Sequence, residues 1–261
     1  MNRLPTYLTS LLAGLALIFA ATAFADLGGN EKTQCAGNIC ITDDGGIAPT
    51  KLPRRGKAPI TARLFGEIET RDGTHPPPVE SLELEIDRTI GIDAHGLPTC
   101  RAAQLQSRNT ADAKRACGSA VVGTGRAEVE VEFPEQKPFR STGPVLLFSG
   151  GVRGRTTTLL LHAYVDVPAP TAVVTRVTVT RINRGRFGLQ VAAEVPRIAG
   201  GSGSVTMFEL EVGRKFTHQG EKKSFLIAGC PTGTWLTKGN VVFGDGTRLG
   251  ITHPFSCTPG E

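Results

Sequence analysis

Aromatic rings are scarce in this chain: one Trp, two Tyr and 12 Phe in 261 residues. Binding single-stranded nucleic acid calls for rings interleaved with basic groups. The basic residues here lack such neighbours, so nucleic acid is not an expected partner. Sugar-stacking faces suffer from the same shortage, and only Trp235 and Tyr164 are strong ring candidates. Nucleophile signatures are also missing: no G-x-S-x-G elbow, no S-x-x-K and no C-x-x-C. The five histidines (His75, His95, His162, His218, His253) form no H-E-x-x-H, H-x-H or H-x-x-x-H pattern. The run Gly200-Gly201-Ser202-Gly203-Ser204 leads into a strand, and no Lys-Ser/Thr follows, so it reads as a turn and not a phosphate cradle. No catalytic residue, cofactor or metal is assigned from the sequence.

Long hydrophobic runs are absent beyond residue 20, so no transmembrane segment is expected after the leader. Residues 8–20 (LTSLLAGLALIFA) are apolar but short. They follow the positive start Met1-Asn2-Arg3 and precede the small-x-small site Ala23-Phe24-Ala25. Together these read as a secretory signal peptide over residues 1–25, which makes the mature protein secreted or extracytoplasmic. The formal net charge of +5 falls to +4 when Arg3 leaves with the leader. This mild excess suits weak attraction to an anionic envelope polymer without requiring it.

What the chain does have is an even set of cysteines, Cys35, Cys40, Cys100, Cys117, Cys230 and Cys257. In an exported protein this is a disulfide framework. Pairing neighbours in sequence predicts Cys35–Cys40, Cys100–Cys117 and Cys230–Cys257. The middle pair brackets the one helix-like patch, GLPTCRAAQLQSRNTADAKRACG at residues 96–118. One short helix is expected over residues 100–107 and a second capped by Thr110, with Gly118 as a left-handed residue past its end. Helices this short are marginal alone, so a covalent staple has a mechanical purpose. A zinc site would need further close ligands, and His95 alone lies near.

The rest reads as strands. Residues 26–57, rich in Gly, Asn, Thr and Asp, show no sustained apolar period. They are expected to be an extended or partly disordered arm, closed by Lys51, Arg54, Arg55 and Lys57. The folded body is expected over residues 58–261 as one β-sandwich-like domain. Its many short alternating segments are separated by Gly/Pro turns: an all-β fold of antiparallel sheets with a small helical insertion. The run PVLLFS at residues 144–149 is apolar throughout, as in a strand buried on both faces. Residues 150–155 read as a mobile hairpin tip, and Lys238-Gly239 as a turn in a final meander that Cys230–Cys257 clips together.

Two acidic rows stand out, Glu83, Glu85, Asp87 and Glu128, Glu130, Glu132. Facing rows of like charge would repel. The basic residues Arg176, Arg181, Arg184 and Arg186 are their expected partners on a solvent face. The alternatives are a calcium site or a glycosidase-like acid pair. His162, between Leu161 and Ala163, is expected as a core histidine with a backbone partner. Asp93-Ala94-His95 is a loop pair.

Three stretches, LPRRGKAPI (52–60), GLPTCRAAQLQ (96–106) and ACGSAVVGTG (116–125), carry a resemblance to an uncharacterised family of exported actinobacterial β-rich proteins. The resemblance implies export and a compact β-rich body, and brings no catalytic residues. The functional expectation is an exported, non-catalytic binding or structural domain of the cell envelope or exterior. Its partner would be an envelope polymer or another exported protein. The alternative is a secreted hydrolase of glycans, lipids or esters, working through carboxylates with His162 or His95.

Overall fold

The computed structural model describes residues 31–166 and 169–261. The expected signal peptide lies outside the described residues. Twelve strands make one antiparallel sheet. In chain order they are β1 Lys32–Ala36, β2 Ile39–Ala48, β3 Thr61–Thr70, β4 Val79–Asp87, β5 Val121–Val131 and β6 Phe139–Arg153. They continue with β7 Thr156–Val165, β8 Thr171–Arg184, β9 Phe187–Glu194, β10 Gly203–Val212, β11 Thr234–Phe243 and β12 Arg248–Ser256. The spatial order is β1-β2-β3-β10-β5-β6-β7-β8-β9-β4-β11-β12. Two strands have changed places: β10 sits between β3 and β5, and β4 between β9 and β11. Residues 71–78 and 195–202 therefore both cross from one half of the sheet to the other.

The sheet curls back until its two ends meet, which makes a sandwich-like body from one continuous ladder. Lys32 Nζ of β1 donates to the carbonyl of Thr252 in β12 at 2.9 Å, and the Thr252 amide donates to Gln34 Oε1 at 2.9 Å. Side chains thus close a seam that lacks backbone pairing. The enclosed core includes Leu52, Val145, Leu147, Leu159, Leu210 and Trp235. Trp235 is a core residue whose indole N–H donates to the Gly229 carbonyl at 2.8 Å, so it offers no sugar-stacking face.

The segment expected as an arm is instead part of the sheet. β2 runs along β3 over ten paired positions, with Ile39, Ile41 and Ile47 buried. These share one face with Asp43 and Gly45, as period 2 dictates. The two polar or small members hide the alternation in the sequence. Three boundaries also move. β6 continues to Arg153, so only Gly154-Arg155 form the tip. β11 runs unbroken through Lys238-Gly239, because Gly239 makes room for the Leu84 side chain of the adjacent strand. Gly118 has φ −56°, because the helix passes straight into a short 3-10 turn, Gly118–Ala120, with no left-handed stop.

The helical insertion is a 3-10 turn, Ala102–Gln104, and one helix, α1 Thr110–Cys117. Its cap is Asn109, not Thr110: Asn109 Oδ1 accepts from the Asp112 amide at 2.8 Å. Leu105, Ala113 and Ala120 pack on Leu146, Phe148 and Leu160. This covers the outer face of β6 and β7 and explains the unbroken apolar run. Burying Leu105 alone contributes roughly 1.5–3 kcal/mol. Cys100 and Cys117 are bonded across the insertion, with Cα atoms 5.7 Å apart. Cys35–Cys40 bridges the β1–β2 hairpin, and Cys230–Cys257 spans the ends of the last two long strands. Covalent pairs of this kind belong to oxidising compartments. No helix among the described residues is long and apolar enough to cross a membrane.

Candidate functional site

The two acidic rows are largely neutralised by arginines. Glu85 pairs with Arg184, and Asp87 with Arg186 at 2.6 Å. Of the four expected partners, Arg184 and Arg186 make these pairs, while Arg176 and Arg181 make no ion pair with either row. In the other row Arg140 of β6 bridges Glu128 at 3.2 Å and Glu130 at 3.1 Å. Asp87 is buried. Burial pushes its carboxyl up, but hydrogen bonds from Arg186 and Thr89 outweigh this and hold it below its ordinary value.

Three histidines are held in closed arrangements. His162 is fully buried on the outer face of β7, and its Nε2–H donates to the Arg108 carbonyl at 2.8 Å beneath the helical insertion. Burial lowers its pKa, against the pull of that carbonyl. His253 on β12 is also buried. Its Nδ1 pairs with Asp43 of β2, and its ring stacks on Phe255 at 4.1 Å. His75 comes from the crossing segment 71–78. Its Nδ1 lies 3.0 Å from Glu130 Oε1, and its Nε2 lies 3.1 Å from Ser204 Oγ. His95, by contrast, is exposed and lies 3.4 Å from Asp93.

The serine, histidine and acid at this third site are connected in the order a serine hydrolase uses. The geometry nevertheless closes it. Ser204 is 1% exposed, and its hydroxyl proton goes to the Pro76 carbonyl. With that proton committed to the carbonyl, the hydroxyl has none left to hand to Nε2. Its neighbours Gly203 and Val205 line a hollow of about 220 Å³ between the two crossing segments. Strand alternation points Ser204 away from it.

An open groove of about 450 Å³ lies at the opposite end of β4 from these crossings. Its walls come from the turn after β4, the end of β8, the start of β9 and a small three-stranded sheet. That sheet is formed by Ala58–Pro59, Leu226–Ala228 and Ile90–Ile92. Lys57, Arg88 and Arg181 line the groove, and no Asp or Glu does. Lys57 Nζ donates to the carbonyls of Arg88 at 2.9 Å and Ile90 at 3.1 Å. Arg181 Nη2 donates to the Ile92 carbonyl at 3.2 Å. None of the three has a carboxylate partner within ion-pair distance among the described residues. Partial burial, and then the charge of Arg181, lower the Lys57 pKa; Asp87 pulls the other way. Ile90, Ile92, Phe187, Leu189 and Ile227 supply an apolar floor and wall. Gly188 lets the Arg88 backbone close in: a Cβ there would lie 2.7 Å from Arg88 Cα.

The sequence pointed to His162, His95 and the acidic rows, which the fold keeps in separate places. It gave no sign of the groove. Lys57 reads as part of a solvated charge run, and Arg88 and Arg181 stand far along the chain. Compared with protein families, curated proteins and solved structures, the chain matches none.

Proposed function

We propose that the protein is an exported, non-catalytic binding or structural domain of the cell envelope or exterior. The observation that carries this reading is the closed state of Ser204, His75 and Glu130. A nucleophile must reach a substrate and hand its proton to a base within hydrogen-bond distance. Here the serine is sealed and its proton is already committed. Three disulfides add support, since they stiffen a body that works outside the cytoplasm.

A hydrolase reading rests on the same three residues, because their connectivity is that of a nucleophile, base and orienting acid. A fluorophosphonate probe separates the two. The folded protein is expected to remain unlabelled at Ser204. Labelling of Ser204 that disappears in His75→Ala would overturn the non-catalytic reading and establish the hydrolase.

A further inference from the structure

The groove at Lys57, Arg88 and Arg181 combines a basic rim with an apolar floor. Its volume of about 450 Å³ lies in the range of small-molecule sites. Three cations converge on it from three separate parts of the chain, and no lining carboxylate offsets them. Nearby cations are treated differently: Arg184 is taken by Glu85, and Arg186 by Asp87. Lys57, Arg88 and Arg181, which line the groove, have no such ion pair among the described residues. Lys57 donates to two carbonyls that fix its ammonium at the rim, and Arg181 is fixed by one. The floor is aliphatic, with Ile92 and Leu189 buried and Ile90 and Ile227 half-buried. A fully hydrated anion would meet the cations but gain nothing from that floor. An uncharged apolar ligand would form no ion pair with the three cations.

We infer that this groove binds a single-chain anionic amphiphile, with its carboxylate or phosphate head among Lys57, Arg88 and Arg181 and its apolar chain along Ile90, Phe187, Leu189 and Ile227. The inference rests on the binding-domain reading and supplies its ligand class. Head and chain each account for one half of the lining, and charge-assisted bonds to the head are the stronger class of contact.

Isothermal titration of the mature protein tests it, with decanoate and decyl phosphate below their micelle concentrations as ligands. Decanol, decyltrimethylammonium and inorganic phosphate are the comparison probes. Both anionic amphiphiles are expected to bind one to one, and the three comparison probes at least tenfold more weakly. Arg88→Glu and Arg181→Glu are each expected to weaken decanoate by about tenfold or more, the scale of one lost charged contact. Arg115→Glu, on exposed α1, is expected to leave binding unchanged. Thermal melting of each variant identifies any loss that comes from misfolding. If Arg88→Glu melts early, Arg88→Ala carries the test.

Inorganic phosphate binding as tightly as decyl phosphate would make the ligand a simple anion and overturn the inference. Equal weakening by Arg115→Glu, or no binding by either amphiphile, would do the same. These outcomes leave the binding-domain reading standing, because that reading fails only on labelling of Ser204.

Discussion

His253 and Asp43 pair inside the seam, although 210 residues separate them in the chain. Asp43 occupies an inward position on β2, where a strand of this kind normally places an aliphatic side chain. His253 fills the space opposite with an aromatic ring that carries a matching donor. The ring of Phe255 fills the next position, over Gly45: a Cβ on Gly45 would lie 3.0 Å from that ring. Gln34 Nε2 donates to the other Asp43 oxygen at 3.2 Å. A polar pair thus holds the two ends of the sheet in one register.

Removing the Asp43 carboxylate leaves a buried imidazole donor without an acceptor. Asp43→Ala is expected to destabilise the protein by about 1–3 kcal/mol, the cost of an orphaned buried group. Asp43→Asn keeps an acceptor oxygen and is expected to lose less. Urea denaturation midpoints with unchanged slope check both. Equal losses would mean that the acceptor contributes nothing.

Acid is expected to weaken the fold in two stages. His162 has a lowered pKa in the folded protein, so the unfolded chain binds its proton first. Its contribution is complete above the unfolded value of about 6.5 and declines as the pH falls below it. Asp87 is also held low, so its contribution is complete above the unfolded value of about 3.9 and is lost as the pH falls through the folded value. Melting temperatures from pH 8 down to pH 2 follow both. His162→Gln is expected to flatten the first stage, and Asp87→Asn the second. A slope unchanged in either variant would remove that residue from the account.

The Cys100–Cys117 bond closes a loop of 17 residues, worth about 3 kcal/mol in the loop-entropy model. The double Cys→Ser variant at these positions is expected to lose stability on that scale. Amide exchange is expected to rise first in α1, while β6 and β7 stay protected. The unfolded, unreduced protein is expected to show no reactive thiols, since the described residues hold no free cysteine. Two reactive thiols per chain would refute the pairing.

Much of the β-structure was legible because a half-buried strand writes its period into the sequence. β4 alternates Leu82, Leu84 and Ile86 with acids, and β5 alternates Val129 and Val131 with acids. The turn Asp245-Gly246 marked a strand end. The reading of 183–185 as a turn was two residues early at its start, because β8 runs on through Arg184 and the chain turns at Gly185-Arg186. β2 was not legible, because two of its inward positions are completed by residues on β12. Its signal is a match between distant segments, which no local window contains. Gly239 misled for a related reason: a glycine in a strand and a glycine in a turn look alike until the neighbouring Leu84 is seen. The groove was hidden most fully. Lys57, Arg88 and Arg181 meet only because β4 lies between β9 and β11, and that exchange of strands follows no short-range rule.

The seam also sets a limit on biogenesis. Its two sides are among the first and the last strands to leave the ribosome, so a partly made chain has no β12 for β1 and β2 to close against. Closure must wait for β12. If the chain crosses a membrane on its way out, it is expected to do so unfurled, and to shut and oxidise only on the far side.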